Sequence, residues 1–96
     1  MLKVHKQSSA EKDLIGIWIY TCENWGVRQA DVYLDAIDEA LQTMAMNPGI
    51  GIKIDDIRPG YFKFQVKEHI IFYTATRDKI NVIRVLNQMM DCARHL

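Results

Sequence analysis

The most constraining feature of the sequence is a pair of adjacent strand patterns in the second half of the chain. Phe62, Phe64 and Val66 alternate with polar or amphipathic residues, which is the period of a strand with one buried and one wet face. After a tight turn at Lys67-Glu68, the run Ile70-Ile-Phe-Tyr is apolar throughout, as is typical of a central strand covered on both faces. The preceding residues are therefore expected to cover this sheet, and the following ones to complete it.

The first helical pattern follows a short alternating segment, Leu2–Lys6, that predicts an initial strand. Its core-facing positions recur at three-and-four spacing up to Gly26: Leu14, Ile17, Trp18, Thr21 and Trp25. Ile15, Ile19 and Cys22 lie off this stripe, so the helix is apolar over more of its circumference than one buried face requires. The pattern predicts that a second helix, the sheet or a partner chain covers these three residues.

The second helical pattern is the most regular in the chain. Its apolar positions step by three and four: Ala30, Tyr33, Leu34, Ile37, Ala40, Leu41 and Met44. It ends at Asn47-Pro48-Gly49, and because only Gly26 and its neighbours separate the two helices, they are expected to form an antiparallel hairpin. The outer surface carries four carboxylates: Asp31, Asp35, Asp38 and Glu39. With no histidine among them, they predict a solvated acidic face and no metal site.

The residues after the central pair predict a turn, a last strand and a short helical tail. Thr76-Arg77-Asp78-Lys79 is a polar turn, and the strand Ile80–Leu86 follows, with Val82, Arg84 and Leu86 on one side. Arg84 thus shares a strand face with apolar residues. This fits either an edge arginine whose head reaches water or a cation held rigidly on the concave sheet face.

The predicted element order is β-α-α-β-β-β, with residues 47–60 as a loop. This order describes a single α+β domain over residues 1–96, in which an antiparallel sheet packs against an α-helical hairpin. A composition of 49% hydrophobic and 25% charged residues is that of an ordinary soluble domain. Without a signal-like N-terminal segment or an apolar run of about 20 residues, the chain is expected to be cytoplasmic and not membrane-bound.

Cysteine content and charge add two further expectations. Cys22 and Cys92 lie outside any C-x-x-C pair, so both are expected to be reduced thiols, with no metal or cofactor indicated. The net charge of zero hides an asymmetry: residues 1–48 carry four basic against seven acidic groups, and residues 49–96 carry eight against five. A basic half suits an anionic partner, but the two halves can also balance each other within one fold.

Short segments along the chain together resemble a known family. In the helical half they are Ala10-x-x-Asp13-Leu14-x-x-Ile17 and Gly26-x-x-x-Ala30-x-x-Tyr33. In the second half they are Asn47-Pro48-Gly49-x-Gly51, Arg58-Pro-Gly, His69-Ile-Ile-Phe-Tyr and Ile83-Arg-Val-Leu followed by Met90-Asp91. No single segment is specific. Their joint occurrence, over essentially the whole chain, resembles the ParE toxins of bacterial type II toxin-antitoxin modules, in the RelE/ParE superfamily.

This resemblance implies a toxin that stops bacterial growth by poisoning DNA gyrase, and not an enzyme. It implies a ParD-like antitoxin whose C-terminal segment wraps the helical hairpin and the sheet groove, with no cofactor and no direct nucleic-acid binding required. A toxin dimer is left open. Two departures leave retained toxicity open as well: Phe62-Lys63 stands where the family often has Arg-Ser, and Asn87 where it commonly has His.

Two alternatives remain. RelE-like members of the superfamily cut mRNA in the ribosome, which requires a base, a cation and an acid. Arg58, Lys63 and Arg84 could supply cations and Glu68 a base, but Asn87 cannot transfer a proton near neutral pH, so the terminal acid is missing. The other alternative is an antitoxin-binding protein whose toxicity is weak or lost.

Two surfaces are predicted within the ParE-like interpretation. The toxicity surface is placed on the basic, C-terminal side: Arg58, Lys63, Arg77, Arg84, Asn87, Met90 and Asp91. The antitoxin-binding surface combines the apolar exterior of the first helix with the first central strand: Ile15, Trp18, Ile19, Cys22, Phe62, Phe64 and Val66. The first choice rests on charge and the second on apolarity expected at the surface.

Overall fold

The computed structural model describes all 96 residues. Its elements are β1 (Lys3–Lys6), α1 (Ser8–Trp25), α2 (Val27–Met46), β2 (Ile52–Lys53), β3 (Phe62–Val66), β4 (His69–Ala75), β5 (Lys79–Asn87) and α3 (Cys92–His95). The five strands form one sheet in the order β1-β5-β4-β3-β2. The α1–α2 hairpin covers one face, which gives the expected α+β architecture.

The sheet is mixed rather than antiparallel throughout, which corrects the prediction. β4 lies at its centre and pairs antiparallel with β3 and β5, but β1 runs parallel to β5. Parallel pairing requires a long crossover, and the whole helical hairpin and the central strands separate these two strands in the sequence. The predicted loop also contributes β2, a two-residue strand paired with Phe62 and Lys63.

The connection between the two helices depends on one glycine. α1 ends at Trp25 and α2 begins at Val27, so Gly26 alone makes the reversal. Its φ of 92° lies in a region that residues with a Cβ rarely adopt, so the position favours glycine. The hairpin that the sequence predicted is confirmed, with a connection one residue long.

Both faces of β4 are buried, as its apolar sequence predicted. The larger core cluster lies between the helices and the sheet: Leu14, Ile17, Ile37, Leu41, Met44, Ile71, Tyr73, Ile80, Val82 and Val85, with Ala10 and Ala40. A smaller cluster on the opposite face consists of Ile54, Phe72 and Leu86. The loop before β3 and the C-terminal tail cover this second cluster through Tyr61 and Leu96.

The predicted facing of β5 is wrong because the strand contains a bulge. Tyr73 pairs with Val82 but Phe72 pairs with Arg84, so Ile83 is an extra residue on β5. Val82 and Val85 therefore share the larger core, whereas Leu86 lies in the smaller one. A bulge changes the alternation of a strand without changing its composition, so period counting does not detect it.

Tyr73 fixes the loop after α2 from within the core. Its hydroxyl donates to the Pro48 carbonyl and accepts from the Gly51 amide, each at 2.9 Å. Burial raises the pKa of this hydroxyl, so it remains protonated and able to donate. A Cβ on Gly51 would lie 2.5 Å from the hydroxyl oxygen and 2.9 Å from the Lys63 carbonyl, so only glycine fits there.

Tyr73→Phe is expected to lower the free energy of unfolding by about 1–3 kcal/mol, because it leaves the Pro48 carbonyl and the Gly51 amide without their partner. Urea unfolding followed by circular dichroism measures this loss. Tyr61→Phe, which removes a hydroxyl from a half-buried ring, is the matched control and should change stability by less than about 0.5 kcal/mol. Equal effects of the two variants would contradict the assigned role of Tyr73.

Candidate functional site

The outer face of α1 carries an apolar strip, defined here as Ile15, Trp18, Ile19 and Cys22. Ile15 is 60% exposed and Ile19 is 46% exposed, and the other two are half-buried. The sheet does not cover these residues, so that alternative is wrong. Trp18 is partly fixed because its indole Nε1 donates to Asp31 of α2 at 3.1 Å. The strip is an unpartnered apolar surface of the kind that mediates protein contacts.

The three β3 residues of the predicted antitoxin surface have a different environment. Phe62, Phe64 and Val66 are half-buried and pack against the larger core cluster. Phe62 also stacks on Tyr73, with ring centroids 5.2 Å apart. Their side chains thus contribute mainly to the fold. What β3 offers a partner is its backbone edge, because β2 pairs only with Phe62 and Lys63.

The predicted toxicity residues do not form one patch. Arg77 lies in the β4–β5 turn, at the end of the sheet opposite Asn87. Lys63 lies on β3 and Arg58 in the loop before it. The remaining residues gather at the C-terminal end of β5 and in the following turn: Arg84, Asn87, Met90 and Asp91.

A cleft of about 720 Å³ lies between α1, the C-terminal half of β5 and the β3–β4 turn. Its lining includes Arg84, Asn87 and Met90 of the toxicity prediction. It also contains charged and aromatic groups that were not singled out as a site: Lys12, Asp13, Tyr20, Trp25, Tyr33, Lys67 and His69. Trp25, predicted to face the core, is 64% exposed here because it is the last residue of α1.

Asp13 joins α1 to the free edge of β5. Its carboxylate accepts from Arg84 Nε at 2.7 Å, from Arg84 Nη2 at 2.9 Å and from the Val85 amide at 3.0 Å. The hydrogen bond to Asp13 raises the pKa of the Arg84 guanidinium above its usual value. Arg84 is therefore an edge arginine, but its head is held by a carboxylate rather than released into water, and its charge is neutralised locally.

His69 and Tyr33 form a second polar contact in the cleft. The Tyr33 hydroxyl lies 2.6 Å from His69 Nδ1 and accepts from the Glu68 amide at 3.2 Å. Because Tyr33 can donate its own proton to Nδ1, His69 is satisfied in the neutral form that carries its proton on Nε2. Burial lowers the pKa of His69, although the charges of Glu68 and Asp13 oppose that shift. Burial also raises the pKa of Tyr33.

Sequence reasoning did not assign a site to Asp13, Tyr33 or His69. All three stand within the family-like segments quoted above, so the available signal was their position in those segments. The contacts themselves could not be read from the sequence, because Asp13 and Arg84 are 71 residues apart.

The groups considered for RelE-like chemistry are only partly brought together. Glu68 lines the cleft, whereas Lys63 lines a separate, smaller pocket of about 340 Å³ near β2. Arg84 is bound to Asp13. Glu68 and Arg84 thus share the cleft, but Arg84 is paired with Asp13 and Lys63 lies in the other pocket.

A helical hairpin packed on one face of a five-stranded mixed sheet defines a small α+β protein with a RelE/ParE-like fold. A family model described as the ParE toxin of the type II toxin-antitoxin system, parDE, matches residues 4–92. The chain belongs to this family. No helix in it has the length and apolar content needed to span a membrane.

Named relatives agree with this assignment. The chain is 44% identical over 89 residues to Toxin ParE1 of Mycobacterium tuberculosis. The aligned region covers 92% of this chain and 91% of the relative. It is 34% identical over 87 residues to Toxin ParE1 of Caulobacter vibrioides, covering 91% and 90% of the two chains.

Two solved structures share the fold. One, described as the chromosomal ParDE TA system from P. aeruginosa, has a TM-score of 0.78 at 16% identity and covers 91% of this chain and 96% of its own. The YoeB dimer from Staphylococcus aureus has a TM-score of 0.63 at 22% identity and covers 88% and 94%. At these identities the likeness shows the architecture alone.

Stability is expected to fall as the pH is lowered from about 7 to about 5, partly through His69. Its folded pKa is lowered by burial, so the unfolded chain binds more protons in this range and acid favours unfolding. His69→Gln should flatten this dependence, which urea unfolding at several pH values measures. His95→Gln, in the exposed part of α3, is the control. Identical pH slopes for His69→Gln and the wild type would contradict the role of His69.

Proposed function

We propose that this chain is a growth-inhibiting toxin that poisons DNA gyrase in the cytoplasm and is silenced by a ParD-like antitoxin. Membership of the ParE family supports the first part of the proposal. The single observation that supports the second is the α1 strip, where Ile15 and Ile19 are exposed on a helix whose other face is core. The role proposed for the chain is binding rather than catalysis, and such a role needs no cofactor.

The toxicity surface in this proposal is the C-terminal end of β5 with the turn after it. Asn87, Met90 and Asp91 are adjacent there, and Met90 is 39% exposed. Arg58 in the loop before β3, Lys63 on β3 and Arg77 in the β4–β5 turn lie elsewhere and are proposed as secondary contacts with the anionic target complex. Arg84 acts as a positioning residue for this end of β5, because Asp13 neutralises its charge.

The proposal predicts which process fails first after the chain is induced alone in a bacterial host. Pulse labelling should show DNA synthesis falling before protein synthesis, with a DNA-damage response, and purified gyrase should accumulate cleaved DNA. Translation failing first would favour the RelE-like alternative. Unchanged synthesis while folded protein accumulates would favour the binding protein without toxicity. Met90→Asp, placed on the proposed surface, should reduce the gyrase effect, whereas Gln42→Asp at an exposed position of α2 should not.

The antitoxin surface has its own test. Ile15→Asp combined with Ile19→Asp should weaken binding of the co-encoded antitoxin at least about 100-fold, because burying two isoleucines contributes about 3 kcal/mol or more. Isothermal titration with the purified antitoxin measures the dissociation constant. Ile57→Asp is the matched control, since Ile57 is a comparably exposed isoleucine at 43% that lies outside α1. Undiminished affinity of the double variant would remove the strip from the proposal.

A further inference from the structure

Lys67 is the one residue other than glycine with a positive φ, which is 54°. It is the first of the two residues that join β3 to β4, because Val66 pairs directly with His69. Hairpin connections of this length favour glycine or asparagine at positions of positive φ, since a bulky residue with a Cβ strains the backbone there. A lysine at this position therefore needs a reason beyond the formation of the turn.

Hydrogen bonds from three parts of the fold hold the strained turn. The Glu68 amide donates to the Tyr33 hydroxyl of α2 at 3.2 Å, and the Glu68 carbonyl accepts from the Gln88 amide at 2.9 Å. The Lys67 carbonyl accepts from Gln65 Nε2 of β3 at 3.1 Å. All three bonds use the backbone of the turn, and none uses the side chain of Lys67. They explain how the strain is tolerated, but not why a lysine stands there.

The side chain of Lys67 has no charged partner within the protein. It is exposed, and the two ion pairs of the protein join other residues, Lys6 to Asp38 and Arg84 to Asp13. The Lys67 ammonium is thus a free charge on a backbone that hydrogen bonds already fix. Such an arrangement loses little backbone entropy when a partner binds, so it is suited to recognition.

The strained turn lies beside the proposed toxicity surface. His69, two residues after Lys67, pairs with Asn87 at the end of β5. The Gln88 amide bond joins the β3–β4 turn to the turn after β5, so the two turns form one hydrogen-bonded end of the sheet. Lys67, Asn87 and Met90 line the same cleft. Lys67 therefore places a free positive charge at the edge of that surface.

The charges around Lys67 favour an acidic side chain of a protein over the backbone of a nucleic acid. Glu68 follows Lys67 directly in the turn, and Asp91 lies between β5 and α3. A nucleic acid presents a phosphate at every nucleotide, so its binding depends on several cations, and nearby carboxylates repel it. A single carboxylate on a protein surface requires only one ammonium, and the neighbouring acids then help to exclude wrong partners.

We propose that Lys67 is the residue through which the toxicity surface binds an acidic side chain of its protein target. The Lys67 ammonium pairs with one carboxylate of that target, and Asn87 and Met90 contact the residues around it. A lysine occupies the strained position because a positive charge is needed at this point of the surface. This inference rests on the proposed function and adds to it a contact residue and the chemistry of the group that it meets.

Lys67→Asn tests this role with purified gyrase as the probe. Asparagine adopts a positive φ more readily and carries no charge, so the Tm of the free toxin should rise by about 2–5 °C. The toxin concentration that gives half-maximal DNA cleavage by gyrase should nevertheless rise at least about fivefold. Lys67→Arg, which keeps both the charge and the strain, should change that concentration by less than about twofold. A purely structural residue would not gain stability while losing its effect on gyrase.

The controls separate the target from other partners. Lys53→Asn on β2 replaces another exposed lysine, away from both turns, and should leave the effect on gyrase unchanged. Isothermal titration should give Lys67→Asn and the wild type the same affinity for the co-encoded antitoxin. Gyrase without DNA should bind the wild type more tightly than Lys67→Asn, and neither toxin should bind a labelled DNA duplex alone.

The contrary outcomes are separable from failure of the proposed function. If Lys67→Asn poisons gyrase as well as an active wild type does, the inference is wrong and the proposed function stands. A wild type that leaves gyrase unaffected refutes the proposed function and the inference with it. Loss of antitoxin affinity in Lys67→Asn would make the antitoxin the partner, and loss of duplex binding would make it a DNA phosphate. An unchanged Tm would mean that the turn is not strained. Each of these results overturns the inference.

Discussion

The structure depends on one constraint, which is that β4 is buried on both faces. Ile71 and Tyr73 face the helices, and Phe72 faces the opposite side, each essentially inaccessible to solvent. A strand of this kind requires two covers, and a chain of 96 residues has few elements with which to provide them. The hairpin of α1 and α2 covers one face, and the loop before β3 together with the tail covers the other. Both long helices and the central strands β4 and β5 therefore contribute buried residues to the core.

Because so few elements are available, the edges of the sheet are incompletely protected. β1 pairs with β5 only from Lys79 to Val82, because the chain turns into α1 after Lys6. Beyond Val82, Asp13 takes the place of a neighbouring strand, because its carboxylate accepts a hydrogen bond from the Val85 amide. The ion pair with Arg84 balances the charge of this carboxylate. The carboxylate protects the edge against unspecific pairing but does not fill the space beside it. The cleft is therefore a consequence of a first strand that is too short to run along the whole of β5.

The parts of the fold that could be predicted from the sequence are those where a local period determines burial. Three patterns each lie within one segment and need no knowledge of a partner strand or helix: the alternation of β3, the uninterrupted apolar run of β4 and the three-and-four spacing of α2. The facing of β5 could not be obtained in this way, since the bulge at Ile83 is defined by pairing with β4. The direction of β1 was likewise set by a partner strand more than 70 residues away.

At the site too, residues marked by a local pattern could be predicted, and contacts between distant segments could not. Ile15 and Ile19 were identified because residues off the stripe of an amphipathic helix are visible in one segment of sequence. The Asp13–Arg84 and Tyr33–His69 contacts join distant segments, so no spacing rule reveals them. The polar groups that stabilise the edge of β5 also form the wall of the cleft. A substitution at Asp13 or Arg84 would thus alter the stability of the fold and the shape of the cleft together.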